Sequence, residues 1–240
     1  FLFRISKNEL QDSLFVSYLG FNTFKIKIAD YLAKKENKIV LTENVVNLSD
    51  VQLLPPKSYV VNALKKLKEN TLYQTHQVEM LYRRAATEAG KAKFFAENYI
   101  KIRDRGPASY LGRIQVTELR KSADYRIWKR EQWRHSIVGL YEVNPLRPIE
   151  SQHRRNLKKF IWKKVGDSSY EDEDVLILEG QNPRIKWERI KMYIGMDTYK
   201  VYRIERGQAL YIFKKHSNGK LYLSYHKNEW GFPKDKIPKH

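Results

Sequence analysis

The 240 residues include no cysteine. That excludes disulfides, thiolate zinc sites, iron–sulfur clusters and cysteine nucleophiles, and it removes any redox clue to compartment. No run approaches the roughly 18 apolar residues of a spanning helix. Glycine-rich phosphate loops are missing too, because Gly90–Lys91 lacks the partner glycine five residues earlier. The spacings G-x-G-x-x-G, H-E-x-x-H and G-x-S-x-G are absent. His76, His135, His153, His216, His226 and His240 show no ligand-type spacing. A chain that begins at Phe1 is compatible with a removed targeting peptide, which would place it in an organelle, the mitochondrion; the expectation is otherwise cytoplasmic.

Acidic residues are scarce relative to basic ones. Lys and Arg number 46 against 27 Asp and Glu, a formal charge of +19. Such a surplus repels itself unless a polyanion neutralises it, so nucleic acid is the expected partner. The charge is also concentrated. Residues 113–164 hold 14 basic and 5 acidic residues, a surplus of nine in one segment. There, Arg120, Lys121, Arg126, Lys129, Arg130 and Arg134 are interleaved with Tyr125, Trp128 and Trp133. Beyond Ser151, which reads as an N-cap, follow Arg154, Arg155, Lys158, Lys159 and Lys163. On a helix, Leu157, Phe160 and Ile161 would form one face and the cations the rest. Dense cations bind phosphates through counterion release, and aromatic rings stack on unpaired bases, which favours RNA.

With 42% hydrophobic and 13% aromatic residues the chain can bury a core. Four segments are expected. Residues 1–57 form a mixed N-terminal part, with strands over Thr23–Ile28 and Ile39–Thr42, and with Asn44–Lys57 as an extended arm. Residues 58–112 are helical. Ser58 caps a first helix carrying Val61, Leu64 and Leu67. A second, from about Gln74 to Arg103, carries Val78, Leu81, Ala85, Ala89, Ala92, Phe95, Tyr99 and Ile102 at steps of three or four. Gly90 would mark close packing in it, and Gly106–Pro107 would stop it. Residues 113–164 are the basic helical segment. Residues 165–240 switch to period two, with strands over Asp174–Leu178, Lys186–Tyr193, Thr198–Ile204, Leu210–Lys214 and Leu221–His226, and a hairpin turn at Ser217–Asn218–Gly219. The fold class expected is α+β: a mixed N-terminal part, long central helices and a small C-terminal antiparallel β module of SH3-like or OB-like kind.

Two catalytic patterns compete with this reading. A calcium loop starting at Asp167 would need glycine at its sixth position, where Asp172 stands. Asp167 followed by Glu179, Gly180 and Gln181 at a strand end is similar to the carboxylate pattern of metal-dependent nucleases, but Gln181 replaces the usual lysine. The sequence therefore predicts a non-catalytic RNA-binding subunit of a large ribonucleoprotein, most readily a mitochondrial ribosomal protein. It would contact ribosomal RNA and neighbouring proteins, with no cofactor, no metal and no membrane span. A DNA-binding or DNA-processing protein is the second reading, and a basic accessory subunit of an organellar membrane complex the third.

Overall fold

The computed structural model describes residues 9–18, 21–34, 38–43, 54–106, 111–127, 146, 157–171 and 173–229. Within them the chain is mostly β, with eleven strands and three short helices. The expected α+β fold with long central helices is therefore corrected to a β-dominated one.

Near the N-terminus, β1 (Ser13–Val16) and β2 (Phe24–Lys27) form a two-stranded antiparallel hairpin, followed by α1 (Ile28–Leu32). Ile39–Thr42 is not a strand; its neighbour Glu43 makes a single bridge to Phe21. Of the expected arm, residues 44–53 lie outside the described residues, and its end is helical. Helix α2 (Pro56–Lys65) starts at Pro56, not beyond Ser58. Proline suits the first helical position because its fixed φ is helical and its missing N–H has no partner there. Tyr59, Val60 and Ala63 are buried on one face of α2, and Leu67 of α3 (Leu67–Asn70) continues that face.

The expected helix over Gln74–Arg103 is instead a hairpin of two long strands, β3 (His76–Glu88) and β4 (Lys91–Asp104). Burial alternates at every residue of β3. Val78, Met80 and Tyr82 pack toward the core beside Ile100, Ile102 and Ile114. A helical stripe would have placed Met80 and Tyr82 on the charged side and Leu81 inside; Leu81 is exposed. Ala89 and Gly90 both have positive φ, 50° and 76°, so the glycine serves a two-residue turn, not helix packing. The third strand of this sheet, β5 (Leu111–Lys121), pairs with β4. It occupies the start of the segment expected to be a basic helix. Residues 128–145 and 147–156, with Trp128 and Trp133, lie outside the described residues.

The C-terminal half is one six-stranded antiparallel sheet in sequence order: β6 (Ile161–Tyr170), β7 (Glu173–Gln181), β8 (Arg189–Gly195), β9 (Val201–Arg206), β10 (Ala209–Lys215) and β11 (Leu221–Asn228). All five segments with period two contain strands. The module is nevertheless not a small closed barrel. β6 adds a sixth strand, and β6 and β11 do not pair among the described residues. Leu157 and Phe160 are buried as the helical reading has it, but Ile161 begins β6 and faces out.

Trp162, Leu178, Met192, Ile204, Tyr211, Phe213 and Leu223 fill the core side of this sheet against α2. Trp162 lies over Gly180, where a Cβ would sit 2.8 Å from the indole ring. The opposite face carries Lys163, Glu179, Lys191 and Glu205 in one register row across four strands. Lys163 pairs with Glu179 at 3.1 Å and Lys191 with Glu205 at 3.8 Å. On the same face, Arg203 donates to the Tyr18 hydroxyl at 3.0 Å, which fastens the N-terminal hairpin. At the sheet's far edge, the Leu72 N–H donates to the Leu221 carbonyl at 2.9 Å.

Candidate binding face on the three-stranded sheet

Antiparallel pairing puts Leu81 opposite Tyr99, Arg83 opposite Glu97, Ala85 opposite Phe95, and Arg120 opposite Glu97 from the other side. Paired residues share a face, so these side chains form one surface. Glu97 is the only deeply covered member. Its Oε1 accepts from Arg83 Nε at 2.5 Å and its Oε2 from Arg120 Nε at 2.5 Å. The hydrogen bond from Arg83, joined by that from Arg120 and by both positive charges, holds the Glu97 carboxyl below its ordinary range against the opposing effect of burial. One carboxylate thus serves two guanidiniums, and the trio keeps a net charge of +1. Both arginine side chains remain largely exposed.

The trio is flanked along β4 by two exposed rings. Tyr99 is 43% exposed and Phe95 37%, while Leu81 beside Tyr99 is 45% exposed. Lys101 and Glu79 close the next row with an ion pair of 3.3 Å. On β5 the exposed Glu118 lies opposite Tyr99 in the same row, so the surface sets two exposed rings and two exposed guanidiniums among acids of the neighbouring rows.

Among the described residues, those expected to bind RNA do not form a cationic helix. Arg120 belongs to the trio, and Lys121 is exposed at the end of β5. Arg126 is buried, bound to both Asp124 oxygens at 2.7 and 2.6 Å and stacked 4.6 Å from the Phe94 ring. Lys158 and Lys159 are exposed in a turn before β6, and Lys163 is paired to Glu179 on the sheet. Lys129, Arg130, Arg134, Arg154 and Arg155 lie outside the described residues. The nuclease pattern is also dispersed. Glu179 faces Lys163, and Asp167 is paired with Lys164 at 2.8 Å. In register Asp167 lies beside Leu176, three residues along β7 from Glu179.

Neither a family model nor a curated protein matches the chain. Solved structures do, two bacterial proteins among them. One is a DUF1329 family protein from Desulfovibrio piger, at 11% identity and a TM-score of 0.31, over 70% of this chain and 83% of that one. The other is a LolA superfamily protein from Nitrosomonas europaea, at 13% identity and 0.33, over 75% and 97%. Neither is a ribosomal protein. The ribosomal, RNA-binding and mitochondrial expectations, with ribosomal RNA and its neighbouring proteins as partners, are corrected on this finding.

A second polar cluster lines a cavity of about 340 Å³ at one end of the six-stranded sheet, between Glu171, Glu173, Asp197, Thr198, Lys200 and Lys215. Its central carboxylate is saturated. Glu173 accepts from the Thr198 hydroxyl at 2.6 Å, from the Thr198 N–H at 3.2 Å and from the Tyr202 hydroxyl. Burial, with Glu173 beside it, pushes the Tyr202 hydroxyl far above its ordinary pKa. Lys215 is bound to Glu171 at 2.6 Å and lies over the Tyr170 and Tyr202 rings. The Glu173 contacts clamp the β8–β9 turn to β7, and the Lys215–Glu171 pair joins β10 to the β6–β7 turn. Among the described residues no group of three histidine or carboxylate side chains is placed to hold a metal.

The sequence reading missed the β4 face because it counted Phe95 and Tyr99 as part of a helical stripe. The signal was present at odd positions: Phe95, Glu97 and Tyr99 recur at a strict interval of two.

Proposed function

We propose that the chain is a non-catalytic binding protein that holds an anionic amphiphile on the β3–β5 face. The observation that carries this reading is the pair of exposed arginines sharing one carboxylate between two exposed aromatic rings. A guanidinium binds phosphate or carboxylate through forked donors. Leu81, Phe95 and Tyr99 supply the apolar contact that a chain or ring needs. Each side chain that covers the ligand's tail leaves water at about 25 cal/mol per Å² of apolar area.

Calorimetric titration tests this with dodecyl phosphate against uncharged dodecyl maltoside, both below their micellar range. Dodecyl phosphate binds and the maltoside binds much more weakly. Replacing both Arg83 and Arg120 by Gln lowers affinity for the phosphate by about tenfold or more, since hydrogen bonds to charged groups contribute about 1.5–3 kcal/mol each. Equal binding of the two amphiphiles removes the anionic requirement. Absence of binding by both removes the proposal.

A further inference from the structure

The end of the six-stranded sheet formed by the β7–β8 loop carries the most exposed large apolar side chain among the described residues. Trp187 is 84% exposed. Ile185 in the same loop and Ile161 at the start of β6 are exposed as well, Ile161 at 67%. They share one end of the sheet: Ile161 pairs with Gln181, and Gln181 pairs with Arg189.

The loop is held at its base. The Gln181 side-chain amide donates to the Lys186 carbonyl at 3.0 Å, and the Asn182 N–H donates to the Glu188 carbonyl at 3.0 Å. The Arg184 N–H donates to Asn182 Oδ1 at 2.9 Å. Glu188 is the only acid between Asn182 and Arg189, and it is turned inward. Asn182 Nδ2 donates to it at 2.5 Å and Arg206 at 3.0 Å. What remains outward is Trp187 and Ile185 among Arg184, Lys186 and Arg189, with Lys158 and Lys159 exposed just before Ile161. None of these five cations has an ion-pair partner among the described residues.

An indole held out in water on a pinned loop has a cost that burial in a partner removes. A surrounding field of one sign selects an anionic partner. Trp favours the boundary between headgroups and hydrocarbon, where its ring is apolar and its N–H meets water. Lysine and arginine reach lipid phosphates from the same depth while their stems stay apolar. We infer that this end of the sheet is a docking surface for an anionic lipid bilayer, with Trp187, Ile185 and Ile161 entering the headgroup boundary and the five cations holding lipid phosphates. The surface is separate from the β3–β5 face and does not depend on its reading.

The full chain is sedimented with vesicles containing phosphatidylglycerol and with pure phosphatidylcholine vesicles. It partitions to the first, and its tryptophan emission moves to shorter wavelength. Arg184→Gln with Lys186→Gln lowers partitioning by about fivefold for each cation removed. Trp187→Ala lowers it about tenfold or more and abolishes the emission shift. The variant keeps the parent's urea midpoint, which shows that it is folded and that the loss comes from the docking surface. No partitioning to phosphatidylglycerol vesicles overturns the inference. Partitioning that Trp187→Ala leaves unchanged also overturns it, because charge alone then explains the contact.

Discussion

Among the described residues, two side chains, Glu97 and His226, have pKa shifts that make the fold less stable in acid. Burial lowers the pKa of His226, whose ring stacks on Tyr211 at 4.5 Å. Below the ordinary histidine pKa of about 6.5 the unfolded chain takes up a proton that the folded chain refuses, so stability falls as pH drops. Glu97 has the same sign for a different reason: its carboxylate is stabilised by Arg83 and Arg120 when folded. Its contribution is present above the unfolded carboxylate pKa and is lost as pH falls through the lower folded one. Urea midpoints should therefore decline in two stages on acidification, the first beginning near pH 6.5 and the second in the carboxylate range. His226→Phe should flatten the first stage only; a first stage that persists in this variant would refute the assignment. Gly106 poses a steric test at the same scale. Its φ is +81°, and a Cβ there would overlap the Leu72 carbonyl. Gly106→Ala should cost about 3 kcal/mol or more in chemical denaturation, combining overlap with an unfavourable φ.

The β3–β4 hairpin shows what short-range pattern could and could not convey. Residues Val78, Leu81 and Ala85 satisfy a helical step, and residues Val78, Met80 and Tyr82 satisfy a strand step. Only tertiary packing against Ile100 and Ile102 decides between them, and that partner strand lies beyond a turn the helical reading had absorbed. By contrast, the strands after residue 173 were legible because Asn218–Gly219 and Arg206–Gly207 punctuate them and no competing helical period exists there. The hairpin turn also yields a test. Ala89 pays for a positive φ that asparagine tolerates better. Ala89→Asn should raise stability by about 0.5 kcal/mol, read as a higher thermal midpoint, and a lower midpoint would show that the turn is not as described.

Charge was legible as a total and as a distribution along the chain, but not as a surface. The surplus of +19 announced an anionic partner but not its kind, since RNA phosphates and lipid phosphates demand the same sign. What separates them is where the cations sit, and β5, the Glu97 trio and the β7–β8 loop are products of strand register that composition does not contain. The buried side chains are more evenly distributed. Leu178, Met192, Ile194 and Ile204 are fully buried on three consecutive strands, so β7, β8 and β9 should show the slowest amide exchange and the outer edge of β5 some of the fastest. Met192→Ala should cost about 2–5 kcal/mol and accelerate exchange across all three strands together. Acceleration confined to β8 would mean that the sheet does not open as a unit.

The six strands from β6 to β11 add in sequence order, each beside the one made just before it. During synthesis every new strand therefore meets its template already waiting, and the sheet can grow from β6 outward as the chain emerges. The last strand is different. Its Leu221 is met by Thr71 and Leu72, made long before. Helix α2 and Asn70 can already rest on β6, β8 and the β8–β9 turn, but Thr71 and Leu72 must wait for the final strand, so a chain interrupted before Leu221 leaves that one fastening unmade.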